Sequence, residues 1–303
     1  MYLNCHSYYS LRHGVLSIDQ LVWQAKLLGI SAMAITEINC STSLFDFYSA
    51  CQKNNIKPIA GIEFRDEQHQ LLYIGIAKDE DGIYELNSIL SDANLQQIPL
   101  SKKAPICQHC FIIYPLSKHP KKLHKNEYVG IHYSQLNNLH QYNIDRQKLL
   151  VHQPVTFLNK ASNKRVEKHT GIDLNELHIL LRAIDTNSLI SKLNTNQKPN
   201  KDENFIDPNT LESYFKNHVY ILENTKKIID QCHFNFDFTT PKNKQHFKSP
   251  LTDTKHLEYL TWKGFKNRYK ANNQTAIERV KHELAVIEEL YFTSYFLITW
   301  DII

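Results

Sequence analysis

Three short apolar runs near the N-terminus each end in a side chain that could bind a metal ion. The first run ends at His6, the second at Glu37 and the third at Glu63. Imidazole and carboxylate groups are common ligands of zinc and manganese, and two or three such ions can ionise a bridging water and neutralise a phosphate group. We expect these three residues, with Cys5 or His13 nearby, to mark a metal site that has too few ligands to be complete.

The elements that must position these residues alternate between strand and helix. Strands are predicted at residues 2–5, 30–36, 57–63 and 71–77, and helices at residues 17–28, 43–54 and 81–90. Ser17 and Gln20 form a capping-box pattern at the start of the first helix, and Gly29 follows its end. The order β-α-β-α-β-β-α predicts a mainly parallel sheet or barrel, in which the carboxyl ends of the strands meet at one edge.

The remainder of the chain predicts a change from barrel to helices. Further strands are expected at residues 111–114, 128–131, 149–151 and 155–158, with Pro154 at a strand end or edge position. Helical patterns then cover residues 174–193, 211–231, 257–269 and 275–290, with a polar loop at residues 194–209. We therefore predict a barrel domain at residues 1–190 and a helical domain at residues 191–303.

Composition limits the class of protein. The chain has 303 residues, 42% of them hydrophobic, and a formal net charge of +4, which is enough for a large core and only mildly basic. It has neither an apolar run of about 18 to 20 residues nor a signal-peptide pattern, so we expect a cytoplasmic protein with no membrane partner.

The cysteines and most histidines give weaker signals. Six cysteines are scattered, so we expect reduced thiols. Cys107 and Cys110 form a lone C-x-x-C, which could be half of a structural zinc site, but no second Cys/His pair accompanies it; plain thiols in a surface loop are favoured. Five histidines of the polar middle region are expected at the solvated surface: His119, His124, His132, His140 and His152.

Three motifs at these strand ends resemble those of a known family. The run HSYYSL at residues 6–11 is similar to its H-S-x-Y-S-x, AITE at residues 34–37 to its A-I-T-D, and IKPIAGIEF at residues 56–64 to its I-K-P-I-x-G-x-E-F. The family is the PHP (polymerase and histidinol phosphatase) region that opens the alpha subunit of bacterial DNA polymerase III. Residues 222–232 and 283–303 also resemble later parts of that subunit, the last of which leads into the polymerase palm.

The resemblance implies a fold and an architecture. It implies an α/β protein, with a PHP-type distorted (β/α)7 barrel followed by a mostly helical C-terminal segment leading toward the palm. It also implies that the chain is a fragment truncated at its C-terminal end, because the nucleotide loop and catalytic aspartates of that family follow beyond Ile303. No catalytic or cofactor-binding residue is therefore assigned here.

Carrying the family's metal ligands onto this chain shows several losses. Its H-x-H falls on Asn4 and His6, so that the first histidine is lost, and its T-D-H falls on residues 36–38, where Glu37 keeps a carboxylate and Ile38 replaces the histidine. Glu63 is retained, and His69 is displaced toward a turn. The late N-D-x-H falls on residues 153–156, which contain no competent ligand. His6, Glu37 and Glu63 form the remaining vestigial metal set, which could hold one zinc or manganese ion weakly.

Two functions follow from the resemblance. In the first, the chain is the PHP region of a replicative DNA polymerase, a nucleotidyltransferase whose full-length form would use magnesium, DNA and deoxynucleotides; the barrel would be a scaffold that docks a proofreading exonuclease or other replisome subunits. In the second, it is a metal-dependent phosphoesterase or 3′–5′ exonuclease. The small number of ligands favours the first.

An aromatic-rich run at residues 291–300 has helical spacing and is expected to pack a core instead of stacking on bases.

Overall fold

The structure, a computed structural model, describes residues 1–240, 244–247 and 249–303, but not the side chains of Asn196 and Lys201. The strands are β1 (Asn4–Cys5), β2 (Ala32–Ile38), β3 (Lys57–Arg65), β4 (Leu71–Ala77), β5 (Cys110–Pro115), β6 (Glu127–Ile131), β7 (Leu149–Val151) and β8 (Pro154–Val155). The helices are α1 (Ile18–Leu27), α2 (Leu44–Lys53), α3 (Glu80–Gln96), α4 (Lys160–Thr170), α5 (Leu174–Asp185), α6 (Pro208–Tyr214), α7 (Val219–Gln231), α8 (Pro250–Arg268), α9 (Gln274–Glu289) and α10 (Thr293–Ile302).

The strands form one curled sheet and one short parallel pair. Strands β2 to β7 lie side by side in chain order, and β4 runs antiparallel to both of its neighbours while the other pairs are parallel. Strand β1 pairs with β8, and a bridge from Tyr2 to Met33 places β1 beside β2. The strands therefore follow the spatial order β8-β1-β2-β3-β4-β5-β6-β7 and form one barrel-like arrangement.

The strands are buried on both faces, as the nearly continuous apolar runs predict. Every residue from Pro58 to Phe64 is buried, and β2 and β4 follow the same pattern. Helix α1 begins with the predicted capping box, in which Gln20 N donates to Ser17 Oγ at 3.1 Å, and ends before Gly29, whose φ is +67°. These strands and helices provide the frame that holds the strand-end side chains.

Several element boundaries differ from the sequence predictions. The helix predicted at residues 174–193 ends at Asp185, because Asn187 adopts a left-handed conformation with φ of +46°. The helix predicted at residues 211–231 is two helices, α6 and α7, and the polar helix α4 was not predicted because it has almost no apolar stripe. The aromatic run at residues 291–300 is helical as predicted, and in this chain α10 buries Thr293, Ser294 and Leu297 while its large aromatic residues are exposed.

The chain forms two compact units, Met1–Phe236 and Asp237–Ile303. The first unit contains all eight strands and the main apolar core, and the second consists of α8, α9 and α10. The domain boundary expected between residues 190 and 191 stays a prediction. Among the residues described, no helix is both long enough and apolar enough to cross a bilayer.

Candidate functional site

Residues at the ends of β1, β3 and β8 line a cavity of about 400 Å³, which we call the mouth cavity. Asn4 pairs in register with Pro154, and Ile38 with Glu63, so side chains at the carboxyl ends of these strands converge. Asn4, His6 and Glu63 line the cavity. The sequence prediction that polar residues gather at this edge agrees with this arrangement for His6 and Glu63.

Glu63 lies at the centre of the site, and both of its carboxylate oxygens accept hydrogen bonds. Asn4 Nδ2 donates to Glu63 Oε2 at 2.6 Å, and His6 Nε2 lies 2.9 Å from the same oxygen. Arg65 Nε donates to the other oxygen, Oε1. The Glu63 side chain is only 1% exposed, so these three donors take the place of water around its charge.

The charge of Glu63 is stabilised by its neighbours. Burial alone would raise the pKa of this carboxyl, but the charges of Arg65 and His6 and the hydrogen bonds from His6 and Asn4 hold it well below its usual range. Arg65 is two residues from Glu63 on β3, so both side chains lie on the same face of the strand. Glu63 is therefore an ionised carboxylate that the protein itself neutralises.

Both ring nitrogens of His6 face polar partners. Thr156 Oγ1 donates to Glu203 Oε2 at 2.7 Å, and His6 Nδ1 lies 3.2 Å from the same hydroxyl oxygen. The other ring nitrogen, Nε2, faces the Glu63 carboxylate. The His6 ring is therefore held between Thr156 and Glu63, and a metal ion would have to displace one of these partners to reach a ring nitrogen.

Glu37 does not join His6 and Glu63 in this network. Its carboxylate accepts hydrogen bonds from the hydroxyl groups of Ser7 and Ser10, and the Ser7 backbone N–H lies 3.1 Å from Oε2. Ser10 Oγ in turn accepts from Ile38 N at 3.0 Å. Glu37 is 1% exposed and holds the turn that follows β1 against the end of β2.

Four further histidines line the mouth cavity: His13, His69, His152 and His178. The His13 ring lies edge-on to His6, with centroids 5.5 Å apart, and to His178 at 5.0 Å. Burial lowers the pKa of His13 well below its usual value and the pKa values of His152 and His178 to about 4, so all three are neutral at pH 7.

These histidines were only partly predicted. His13 was expected near the site, whereas His152 was expected at the solvated surface and instead lines the cavity; His132, also expected at the surface, is buried. His178 was missed because it reaches the site from α5, where Nδ1 lies 2.7 Å from the His13 carbonyl oxygen. Its four-residue spacing from Arg182, another cavity residue, was the available signal. Cys5 lies in the apolar core, and His69 pairs with Asp185 at 3.2 Å.

The residues of the mouth do not fit a metal centre with two or three ions. Such a centre needs several accessible ligands, but Glu63 already has three protein partners, both ring nitrogens of His6 face protein groups, and Arg65 places a fixed positive charge beside the carboxylate. Across the described parts of the chain, two groups of three ligand atoms lie within 4.8 Å of one another, and neither includes a mouth residue. The predicted set of His6, Glu37 and Glu63 stays a prediction.

Comparison with known proteins agrees with the strand-end motifs. The model of the PHP domain family matches residues 3–261. The chain belongs to the PHP domain family. A second model, the bacterial DNA polymerase III alpha NTPase domain, matches residues 255–303. The fold class predicted from the sequence, an α/β PHP-type distorted barrel followed by a helical segment, is confirmed.

The PHP chain is also similar to curated proteins that are named DNA polymerase III subunit alpha. The protein from Halalkalibacterium halodurans is 25% identical over 330 residues, which cover 99% of this chain and 29% of that protein. One from Staphylococcus epidermidis is 26% identical over 310 residues, covering 100% of this chain and 27% of its own length. The PHP chain thus spans less than a third of the length of these relatives.

A solved structure from Bifidobacterium adolescentis, described as that of a metal-dependent phosphoesterase, covers 71% of the PHP chain and 95% of its own chain. The two are 13% identical, with a TM-score of 0.31.

Proposed function

We propose that this PHP chain is the N-terminal region of a DNA polymerase III alpha subunit and that it serves there as a scaffold without hydrolytic activity of its own. The observation that carries the proposal is the Glu63 network, in which Arg65, His6 and Asn4 take the positions around the carboxylate that metal ions need. The similarity to alpha subunits over 99–100% of the chain supports the polymerase part of the proposal.

The activity of the full-length protein would be templated DNA synthesis. In this proposal, DNA and deoxynucleotides bind to parts of the polymerase outside this chain, where magnesium ions assist phosphoryl transfer. The protein would work in the cytoplasm, with the chromosome as its substrate. A proofreading exonuclease and other replisome subunits are the partners that the barrel would dock.

Primer extension tests the polymerase part. The complete reading frame that encodes this chain is expressed, and incorporation of deoxynucleotides on a primed template is measured with magnesium. We expect template-directed extension that is retained when His6→Gln removes the imidazole of the mouth, provided that the variant is folded. Extension that is absent from the folded full-length protein would contradict the assignment.

A second candidate is a metal-dependent phosphoesterase or 3′–5′ exonuclease. One observation favours it: the buried mouth contains polar atoms without a hydrogen-bond partner in the described structure, Asn4 Oδ1 and both ring nitrogens of His13. Together with Glu63 or His6, these atoms could hold one zinc or manganese ion if the Glu63 network rearranged. Hydrolysis of a primer with a mismatched 3′ end distinguishes the candidates, because only the second predicts turnover by the chain itself.

A further inference from the structure

The C-x-x-C of residues 107–110 is distant in sequence from most of the mouth residues. Its thiols were predicted to lie in a surface loop, but the structure places them inside the protein. Both thiols are buried: Cys107 is 8% exposed and Cys110 is 0% exposed. Cys107 lies in the loop between α3 and β5, and Cys110 is the first residue of β5. The loop therefore holds two thiols inside the protein, next to the helix that precedes it.

Helix α3 adds a third ligand to this pair. A carboxylate oxygen of Glu85 and the two sulfur atoms all lie within 4.8 Å of one another. Zinc binds sulfur at about 2.3 Å and oxygen at about 2.0 to 2.2 Å, so ligands in a tetrahedral site are about 3.5 to 3.8 Å apart. The three atoms are thus close to the separations that one zinc ion requires, and only small side-chain movements would bring them there.

The backbone around the three ligands is held in place by several hydrogen bonds. The two oxygens of Glu85 accept from Gln108 N at 3.1 Å and from His109 N at 3.0 Å. Asn126 Nδ2 donates to the Cys107 carbonyl at 3.0 Å, and Lys78 Nζ donates to the Gln108 carbonyl at 2.7 Å. Ligands whose supporting groups are already fixed lose less entropy when they bind a metal ion.

Close packing also fixes the distance between the loop and α3. A Cβ atom at Gly82, in the first turn of α3, would lie 2.3 Å from the His109 carbonyl oxygen. Cys110 Sγ donates to the Gly82 carbonyl at 3.1 Å. Only glycine allows the loop to approach the helix this closely, and this approach is what brings Glu85 beside the thiols.

The ligand types select a particular class of metal ion. Calcium and magnesium prefer sites made entirely of oxygen, whereas two thiolates and one carboxylate suit zinc. The thiols of Cys107 and Cys110 donate to nearby carbonyls, and two thiolates beside a carboxylate would repel one another without a cation between them. A divalent cation would displace both thiol protons to solvent and offset two of the three negative charges.

We propose that Cys107, Cys110 and Glu85 bind one zinc ion, with water at the fourth position, and that this ion fastens the loop before β5 to helix α3. The site is separate from the mouth cavity and is independent of the proposed polymerase function. The sequence identified only the cysteine pair of this site, because Glu85 comes from a helix whose contact with the loop is known only from the fold.

Metal binding to the reduced 303-residue chain tests the proposal. We expect one zinc ion per chain after gel filtration, and cobalt in its place should give the thiolate-to-metal charge-transfer absorption in the near ultraviolet. Cys107→Ser and Glu85→Gln should each weaken zinc binding by about 100-fold or more, since loss of even an outer-shell partner costs about 10- to 100-fold. Cys40→Ser removes a thiol outside the cluster and should leave zinc binding unchanged.

Three results of the zinc and cobalt experiments would overturn the proposal. They are the absence of bound zinc in the folded wild-type chain, bound cobalt without the charge-transfer band, and zinc binding of unchanged affinity in folded Cys107→Ser. Circular dichroism checks the folding of each variant, and the cobalt spectrum of the wild-type chain gives a test that needs no variant. A Cys107–Cys110 disulfide that persists in a glutathione buffer of cytosolic composition would also exclude the zinc site.

Discussion

The ion pair between Glu63 and Arg65 gives the most specific prediction for the barrel. Arg65→Met keeps much of the length of the side chain and removes its charge. Glu63 would then remain as a carboxylate that is 1% exposed, with His6 and Asn4 as its remaining donors. The variant therefore tests whether the protein neutralises this carboxylate with its own cations.

The size of the effect follows from the burial of the two partners. Removal of one partner from a buried ion pair costs about 3 to 5 kcal/mol, because the other charge is left without compensation. The Arg65 side chain is 16% exposed, so we expect the lower end of this range, about 3 kcal/mol. The double variant Arg65→Met/Glu63→Gln removes both charges and should recover more than half of that loss.

Unfolding of the first unit can be followed by fluorescence. Trp23 is the tryptophan of the first unit, and Trp262 and Trp300 belong to the second. In a background with Trp262→Phe and Trp300→Phe, denaturant unfolding monitored through Trp23 reports the unit that contains the mouth. Arg12→Met is the matched control: its side chain is 59% exposed and pairs with Asp185 at 3.3 Å, so it should cost less than about 1 kcal/mol.

The pH dependence has a defined sign. The folded pKa of Glu63 is lower than its value in the unfolded chain, about 4.3, so its contribution to stability is complete above that pH and is lost as the pH falls through the folded pKa. Without Arg65 the folded pKa of Glu63 rises. Protonation of Glu63 at low pH then removes the unpaired charge that destabilises the variant. The cost of Arg65→Met should therefore be smaller at pH 4 than at pH 7. A cost at pH 7 no larger than that of Arg12→Met, or one that grows on acidification, would refute the reasoning.

Three further predictions concern the same fold. The folded pKa of His178, about 4, lies below its unfolded value of about 6.5. The free energy of unfolding should therefore decrease as the pH is lowered from about 6.5 to about 4, by up to about 1.4 kcal/mol per pH unit. His178→Gln should make this decrease, measured by denaturant unfolding, less steep. A Cβ at Gly14 would lie 1.7 Å from the Ser7 carbonyl oxygen, so Gly14→Ala should lower the free energy of unfolding, measured by thermal unfolding, by about 3 kcal/mol or more. The control Gly264→Ala has no atom within 4 Å of the new Cβ and should leave stability unchanged or increase it. Helix α9 has no buried residue, so its amides should exchange with deuterium faster than those of β3; equal protection would contradict this.

The sequence predicts much of the barrel because its strands are nearly continuous apolar runs that end in polar residues. The position of Glu63 and its proximity to His6 follow from that pattern. The contact of Arg65 with Glu63 could also be predicted, since residues two apart on a strand share a face. The contacts of Glu37 could not be predicted, because they depend on how the turn after β1 places two serine hydroxyls.

Contacts between elements distant in sequence account for the other differences. His178 reaches the mouth only through the packing of α5, and Glu85 meets the C-x-x-C only where α3 packs against the loop before β5. A pattern of apolar residues identifies a helix and its buried face, but it does not specify which distant residue that face contacts. The left-handed Asn187, which ends α5 early, is likewise a local backbone choice that propensity alone leaves open.

Hydrolysis of a primer with a mismatched 3′ end tests the central claim most directly. Manganese is supplied in excess, and the wild-type chain is compared with folded His6→Gln, which lacks the imidazole at the mouth. If Arg65, His6 and Asn4 neutralise Glu63 in place of metal ions, both proteins should release nucleotide only at the rate of the buffer control. Manganese-dependent release by the wild-type chain that His6→Gln abolishes would contradict the account.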